Sequence, residues 1–313
     1  MTAVGSSVSD FKSGDKVALE VGLPCGTCPR CKEGRYNICK EMKFRSSGKS
    51  FPHFQGTLQE RVNHPAKWCY KLPEDVSLDM GALLEPMGVA LHAFKRSQMP
   101  ADATVLVFGA GAVGLLCAAV AKLKGAGKVV IADIDAGRLE FAVKNGFAHS
   151  SYTVPMKRGK DIDESLAIAK ETASEVGKVD GVGEVDTVFE CTGVPSCVQA
   201  GIYVTKPGGR LMLVGMGHPI QTLPLAAAAL REVDIVGVFR YANTYPDSIA
   251  IVQQALKSSD GPDFSKLVTH RFVGLDQAPK AFEMASKTKD AEGKLVIKVV
   301  IDSSVGGRPS ARL

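Results

Sequence analysis

The chain has 313 residues, of which 45% are apolar and 23% charged, as is typical of a globular protein with two domains of ordinary size. Its net charge of +5 is spread evenly, with no dense basic stripe, which argues against a nucleic-acid partner. No apolar stretch reaches the length of a membrane span, which argues against a membrane partner. Eight cysteines and no visible export signal in Met1–Asp10 predict reduced thiols and a cytoplasmic location.

The first 85 residues are rich in turns and in short candidate strands. Strands are predicted at Lys16–Val21, Gly56–Val62 and Trp68–Leu72, which are separated by glycine and proline. A helix is predicted at Val76–Lys95, where apolar residues recur at three-to-four spacing.

Four cysteines stand close together in this region, with the spacing C-x2-C-x2-C-x7-C: Cys25, Cys28, Cys31 and Cys39. Four thiolates can enclose one tetrahedral zinc ion and leave no coordination position open, which describes a structural site. Unconnected thiols or two disulfides are the alternatives, and three successive short gaps favour one metal site over paired bridges. The spacing therefore predicts a structural zinc.

From about Thr104 the pattern changes to alternating strands and helices, which favours parallel βαβ units in a doubly wound sheet. The predicted strands are Thr104–Phe108, Lys128–Ala132, Asp186–Glu190 and Arg210–Val214, and the helices between them include Ala112–Lys124, Ala136–Lys144 and Ser165–Glu175. The remainder is predicted to hold a strand at Ile235–Phe239, helices near Ser248–Leu256 and Gln277–Lys287, and a last strand at Leu295–Ile301.

A glycine-rich turn follows the first of these strands and opens a helix. Its G-x-G-x-x-G pattern consists of Gly109, Gly111 and Gly114, with Ala112 and Val113 between the last two. The glycines permit a tight turn, close approach to a pyrophosphate and close packing of the helix on the strand. Asp133 ends the next strand, where a carboxylate accepts from ribose hydroxyls and repels a 2′-phosphate. These features predict NAD as the cofactor.

Further cofactor contacts are predicted along the same edge of the sheet. Ligands of such sheets lie outside the carboxyl ends of the strands, and the predicted contacts there are Cys191, Thr192, Val214, Gly215, Val238, Phe239 and Arg240. Arg138 faces the adenine or ribose, or else is an exposed helix residue. Cys191 can equally be a plain buried thiol.

Several motifs together make the chain resemble the zinc-containing medium-chain dehydrogenases, and most closely their polyol group of sorbitol (L-iditol), xylitol and arabinitol dehydrogenases. The most specific is R-E-V-D-I-V-G-V-F-R-Y-A-N-T-Y-P at Arg231–Pro246. The others are the cysteine cluster, G-D-K-V, A-L-L-E-P, the glycine-rich turn, E-C-T-G, K-P-G-G and L-V-T-H-R-F.

The resemblance implies an α/β fold, a Rossmann-type doubly wound parallel sheet plus a partial, mostly β GroES-like catalytic domain. The expected divisions are 1–87 for the partial GroES-like domain, 88–234 for the NAD-binding domain and 235–313 for a return segment that completes the catalytic domain. The first division includes the zinc lobe, the four-cysteine segment from Cys25 to Cys39. It also implies a homo-oligomer, a dimer or tetramer.

The implied reaction is the zinc-dependent, NAD-linked oxidation of a secondary alcohol of a polyol to a ketose. In this resemblance Glu85 contacts a catalytic zinc directly or through water, Arg240 and Tyr241 bind the polyol hydroxyls, and Phe44 lines the cleft. From the residues alone, Glu85 before Pro86 can also be a polar residue that ends a helical turn, and Arg240 with Tyr241 a surface stacking pair.

One departure from the family affects the reaction. The family's catalytic Cys and Gly-His-Glu ligands precede its V-G-S-S-V segment, which in this chain begins at Val4. We therefore expect either a fragment of a full polyol dehydrogenase or, alternatively, an inactive module that binds NAD and structural zinc. A quinone reductase-like relative is a third alternative, against which the cysteine cluster and F-R-Y-A-N-T argue. The choice among sorbitol, xylitol and arabinitol stays open.

Overall fold

The structure, a computed structural model, describes residues 1–45, 47 and 51–303. Contacts divide the chain into two compact units. The first comprises Met1–Glu85, Ala242–Gln253 and the residues from Phe264 onward, and the second comprises Pro86–Tyr241 and Gln254–Asp263. Within the described ranges, the helices are all too short or too polar to cross a membrane.

Twelve strands and nine α-helices are numbered in chain order over the described residues. The strands are β1 Val17–Leu19, β2 Gly22–Leu23, β3 Lys43–Phe44, β4 Cys69–Lys71, β5 Thr104–Phe108, β6 Lys128–Asp133, β7 Ser150–Thr153, β8 Val185–Glu190, β9 Thr205–Leu213, β10 Asp234–Gly237, β11 Val268–Val273 and β12 Lys298–Asp302. The helices are α1 Pro29–Lys32, α2 Leu78–Ser97, α3 Ala112–Leu123, α4 Ala136–Lys144, α5 Ile162–Lys178, α6 Pro195–Val204, α7 Leu225–Ala229, α8 Tyr245–Leu256 and α9 Ala278–Ala285.

The second unit is built on one six-stranded parallel sheet. Its order is β10-β9-β8-β5-β6-β7, so the chain starts in the middle and winds outward in both directions. The central strand β5 is buried along nearly its whole length, as parallel sheets covered by helices on both faces require. This topology confirms the predicted α/β, Rossmann-type fold.

Two strands of this sheet differ from the expectation. β7, with the sequence S-S-Y-T, was missed because it is short and partly polar, as an edge strand can be. The strand predicted at Ile235–Phe239 is β10, at Asp234–Gly237, and it pairs with β9 rather than joining the return segment. By contacts, the chain passes from the second unit to the first after Tyr241, and the division into 1–87, 88–234 and 235–313 stays a prediction.

The first unit has short, separate sheets. β1 pairs with β4 and β2 with β3, both antiparallel, whereas β11 and β12 are parallel. The strand predicted at Gly56–Val62 is wrong, because the described residues there form bends and coil. The buried Arg45 donates to the carbonyls of Gln55 and Asn63 on either side, at 3.0 and 2.6 Å, so a side chain takes acceptors that a neighbouring strand would use.

Candidate functional site

The glycine-rich turn joins β5 to α3. Gly109 has φ +98°, a left-handed conformation that favours glycine. A Cβ on Gly114 would clash with the carbonyl oxygen of Gly109, at 1.8 Å, so the helix packs against the turn as closely as backbone allows. Gly111 is the N-cap of α3, and no side chain caps the helix there. The first N–H groups of α3 and its positive dipole end are therefore available to an anion.

Asp133 lies at the end of β6 and is tied to this turn. Its Oδ2 accepts from the backbone N–H of Ala110 at 2.6 Å, and its Oδ1 accepts from the N–H of Asp135 at 2.9 Å. These bonds fix the Asp133 side chain beside the glycine-rich turn, the position from which a carboxylate can accept from the ribose of a dinucleotide.

Arg138 lies in α4, the helix that follows Asp133. Its backbone N–H donates to the Asp135 side chain at 3.1 Å and belongs to the helix cap. Its Nε is buried and has no hydrogen-bond partner among the described residues. A buried donor without an acceptor is costly, so this atom fits a site that a ligand oxygen completes better than it fits an exposed helix residue.

The end of β8 is organised by a carboxylate that the sequence prediction did not single out. Glu190 is 1% exposed and accepts from the backbone N–H groups of Thr192 and Gly193, at 2.7 and 2.9 Å, as well as from the Thr192 hydroxyl. Its backbone carbonyl accepts from Val214 and Gly215 N–H, at 2.9 and 2.8 Å. Glu190 therefore joins the ends of β8 and β9. The E-C-T-G motif, which Glu190 opens, was the sequence signal from which this residue could have been identified.

Cys191 follows Glu190, and its thiol is buried. Its Sγ is 3.8 Å from Cys117 Sγ. That contact, together with burial, raises the pKa of Cys191 well above its usual value. The thiol is therefore neutral and a poor nucleophile, which supports the alternative of a plain buried thiol that lines the edge of the sheet.

The remaining predicted cofactor residues follow β9 and β10 at the same edge. Val238 continues from β10 and donates its N–H to Leu213 O at 3.0 Å. Phe239 is 44% exposed, and the Arg240 guanidinium lies 4.8 Å from its ring centroid. Arg240 itself has φ +51°, which is uncommon for a residue with a side chain. The structure thus brings the predicted cofactor residues to the carboxyl ends of neighbouring strands of one sheet.

The four cysteines form a compact cluster in the first unit, with their sulfurs all within 4.8 Å of one another. The Cys28–Cys31 and Cys25–Cys31 sulfur distances are 3.5 and 3.9 Å. Zn–S bonds of about 2.3 Å in a tetrahedron place sulfurs ~3.8 Å apart. The donor set and its spacing therefore fit one structural zinc, and no other such cluster of three or more occurs in the described part of the chain.

The backbone around the cluster favours a thiolate at Cys25. The N–H groups of Thr27 and Cys28 and the Thr27 hydroxyl point at Cys25 Sγ and lower the pKa of Cys25 to about 6. Burial and the neighbouring cysteine sulfurs raise the pKa of Cys31 to about 12. Four sulfurs this close cannot all ionise without a cation between them, which is what bound zinc supplies.

The predicted catalytic residues are distributed over both units. Glu85 is half-buried in α2 of the first unit, and α2 continues through Pro86, so the alternative that Glu85 ends a helical turn is wrong. Phe44 lies in β3, opposite Gly22. Arg240 and Tyr241 end the first segment of the second unit, and Tyr241 is 3% exposed. Their roles stay predictions.

Comparison with known proteins assigns both parts of the chain. Residues 1–74 match the alcohol dehydrogenase GroES-like domain, and residues 112–254 match the zinc-binding dehydrogenase family. Sorbitol dehydrogenase from Homo sapiens is 42% identical over 287 residues, covering 91% of this chain and 73% of that protein. L-idonate 5-dehydrogenase from Vitis vinifera is 37% identical over 289 residues, covering 92% and 74%.

A solved structure gives the same answer. An Escherichia coli oxidoreductase/dehydrogenase of unknown specificity matches with a TM-score of 0.80 and 30% identity, over 96% of this chain and 79% of that one. Sequence identity, domain models and fold agree with the motifs of the cysteine cluster and the glycine-rich turn. The chain therefore belongs to the polyol group of the zinc-containing, NAD-dependent medium-chain dehydrogenases.

Proposed function

We propose that this chain belongs to an enzyme that oxidises a secondary hydroxyl of a sorbitol-like polyol to a ketone with NAD. The observation that carries the proposal is the bond between Asp133 and the N–H of Ala110, which fixes a carboxylate at the glycine-rich turn. A carboxylate there accepts from both ribose hydroxyls of NAD and repels the 2′-phosphate of NADP.

The chain's own residues account for cofactor binding. The N-terminal N–H groups of α3 hold the pyrophosphate, which approaches closely because Gly111 has no side chain. The buried Nε of Arg138 gains an acceptor from the ligand. The bound nicotinamide supplies the hydride chemistry, and the protein supplies position and electrostatics.

At the substrate end, Arg240 and Tyr241 are proposed to bind polyol hydroxyls, and Phe44 to line the cleft. The Phe239 ring under the Arg240 guanidinium restricts where that side chain can point. A fixed guanidinium presents several N–H donors to vicinal hydroxyls.

A catalytic zinc is a different matter, because the part of the chain that the structure describes holds one candidate ligand for it. Glu85 is the candidate ligand, and no cluster of three metal-binding side chains includes it among the described residues. One carboxylate binds zinc too weakly to hold it for catalysis. An NAD- and zinc-binding module without turnover is the alternative function.

We further propose that the protein is a homo-oligomer in a reducing compartment such as the cytoplasm. β10 has a single strand neighbour in the described sheet, and the exposed apolar side chain of Leu230, 87% exposed, shortly precedes it in sequence. Open edges and apolar patches are sites of association. The eight cysteines are free of disulfides in the described residues, which is compatible with a reducing location.

NADH formation tests the proposed activity. Zinc-loaded protein is mixed with NAD and, in turn, sorbitol, xylitol, arabinitol and ethanol, while NAD binding is measured separately by calorimetry. The proposal expects NAD binding and NADH formation with at least one polyol but not with ethanol. NAD binding with no NADH from any polyol would contradict turnover by this chain and favour the module. Absence of NAD binding would contradict both functions.

A further inference from the structure

A buried carboxylate in the first unit fixes two tyrosine hydroxyls. Glu20 is 1% exposed. Its Oε1 accepts from Tyr36 Oη at 2.7 Å and its Oε2 accepts from Tyr70 Oη at 2.8 Å. Because each donor points to a different oxygen of one buried carboxylate, the position of the Tyr36 hydroxyl is set from within the unit.

The same Tyr36 hydroxyl is also an acceptor. It receives the backbone N–H of Asn243 at 2.7 Å, while the Asn243 side chain donates through Nδ2 to the carbonyl of Gly34 at 2.8 Å. A Cβ on Gly34 would lie 3.4 Å from that Nδ2, so the two segments are in close contact. Asn243 is therefore bound through its main chain and its side chain to one short loop.

That loop belongs to the zinc lobe. Gly34 and Tyr36 stand between Cys31 and Cys39, the third and fourth cysteines of the cluster. The Cys39 N–H donates to Tyr36 O at 3.0 Å, and the Gly34 N–H donates to Cys31 O at 3.1 Å. Whatever fixes the two cysteines thus fixes the residues that hold Asn243.

Asn243 needs such support, because its backbone is in an uncommon conformation. Its φ is +55°, in the left-handed region that asparagine visits more readily than most residues but that remains unfavourable without compensating bonds. It follows Tyr241 by two residues and Arg240 by three, and Arg240 also has a positive φ. The segment that carries the proposed polyol-binding pair therefore ends at a residue held by the zinc lobe.

We propose that the structural zinc lobe positions the polyol-binding segment, and that Tyr36 is the positioning residue. Glu20 holds Tyr36, and Tyr36 with Gly34 holds Asn243. The segment from Arg240 to Asn243 is then fixed at its Asn243 end. The part of this inference that concerns polyol binding rests on the proposed function, whereas the link between the zinc and Asn243 does not.

Burial raises the pKa of Tyr36 above its usual value, and the Glu20 carboxylate adds to the effect, although the Asn243 N–H opposes it. The hydroxyl therefore stays protonated at neutral pH. The hydroxyl can donate to Glu20 and accept from the Asn243 N–H at the same time, as the two hydrogen bonds require.

Amide hydrogen exchange on the zinc-loaded protein tests the link directly. Tyr36→Phe removes the acceptor of the Asn243 N–H without removing a zinc ligand. We expect the exchange rate of residues 240–246 to rise roughly ten-fold while β5 and β6 keep theirs. Tyr203→Phe is the matched control, since Tyr203 lies in α6 of the second unit, where its ring contacts the Lys170 ammonium.

Zinc removal by a chelator provides the second arm. Wild-type protein should show faster exchange at residues 240–246, and Tyr36→Phe should show little further change. An Asn243 amide that exchanges at the wild-type rate in zinc-loaded Tyr36→Phe would overturn the proposal. If chelation unfolds the whole first unit, the zinc-loaded variant alone decides.

Kinetics and zinc content separate positioning from simple stability. With polyol turnover established for the wild type, Tyr36→Phe should raise the KM for polyol and leave the zinc content and the Kd for NAD unchanged. A lower Tm with an unchanged KM would show a merely structural role and overturn the polyol part. Without wild-type turnover the proposed function fails, and the exchange experiment still decides the link between zinc and Asn243.

Discussion

The two units of this molecule are stabilised in different ways. The second has a continuous apolar core, in which strand residues such as Leu106, Val130 and Val188 are fully buried between helices. The first also buries apolar residues, such as Leu84 and Leu267, but it has only two-stranded sheets among its described residues and adds directional contacts, the four-cysteine cluster and the Glu20 carboxylate with its tyrosines. Apolar burial is spread over many residues, whereas a metal site or a buried carboxylate concentrates stability in a few atoms.

The difference indicates where each unit is sensitive to change. Losing one of many apolar contacts lowers stability by a limited amount, but losing one zinc ligand removes a whole site. Trp68, the chain's one tryptophan, lies in the first unit 5.2 Å from the Tyr36 ring, so its fluorescence reports on that unit.

The largest effect is expected from Cys39→Ser. Structural zinc contributes on the order of 10 kcal/mol of apparent folding free energy, so loss of one of four thiolates should abolish tight zinc binding and open the lobe. The second unit should keep its helical circular dichroism. Zinc content by atomic absorption and protease cleavage within residues 25–45 measure the result.

Cys69→Ser is the matched control for this prediction. Cys69 lies in the same unit and is 8% exposed, against 6% for Cys39, but its sulfur donates to Pro65 O and takes no part in the cluster. Equal zinc loss in both variants would show that burial of a thiol, rather than ligation, explains the effect.

A smaller effect is expected in the core of the second unit. Ile131 in β6 is fully buried, so Ile131→Ala should lower the free energy of unfolding by roughly 2–5 kcal/mol, through lost burial and a residual cavity. Ile134, three residues later, is 59% exposed. Ile134→Ala should change the free energy of unfolding by less than about 0.5 kcal/mol. Urea unfolding followed by circular dichroism measures the free energy of unfolding of both variants. Equal losses would contradict the difference in burial between Ile131 and Ile134.

The same contrast explains what the sequence could predict. In the second unit, the apolar pattern placed β5 and α4 at their observed bounds, Thr104–Phe108 and Ala136–Lys144, because β5 is buried along nearly its whole length and α4 buries one face. β7 was missed because an edge strand needs no such pattern. In the first unit, Gly56–Val62 alternates like a strand, yet Arg45 takes the flanking carbonyls, a long-range contact that periodicity does not encode.

The candidate site shows a similar division. Short-range spacing predicted the cysteine cluster and the glycine-rich turn, since the residues of each lie within fifteen positions of sequence. Glu20 and its partners were missed, because Tyr36, Tyr70 and Asn243 are far apart along the chain and only the fold brings them together.

Asp133→Ser should shift the cofactor preference in the second unit. Serine lacks the charge that repels a 2′-phosphate, so the ratio of NADP to NAD affinity should rise by about ten-fold, or 1.4 kcal/mol. Calorimetric Kd values for both cofactors measure it. Asp135→Ser, which removes an acidic group from the α4 cap two residues later, is the control. An unchanged ratio in Asp133→Ser would contradict the proposed ribose contact.

The smallest expected effect is a change in pH dependence in the first unit. Burial raises the pKa of Glu20 above its ordinary value of 4.5, although both tyrosine hydroxyls oppose the shift. A raised pKa means that the folded state holds its proton more tightly than the unfolded state, so the stability contribution is present below pH 4.5 and is lost as the pH rises through the raised value. Glu20→Gln carries no charge at any pH and should lose less stability than wild type over that rise.

Tyr70→Phe sharpens this last prediction, because it removes one of the two bonds that favour the ionised carboxylate. The pKa of Glu20 should rise further in this variant, and stability should fall more steeply with pH than in wild type. Urea midpoints from Trp68 fluorescence between about pH 4.5 and 8 give the three slopes. The expected order is Tyr70→Phe steepest, wild type intermediate and Glu20→Gln shallowest. Three equal slopes would mean that the protonation of Glu20 does not change on folding. The contribution of its hydrogen bonds to stability would then not depend on its charge.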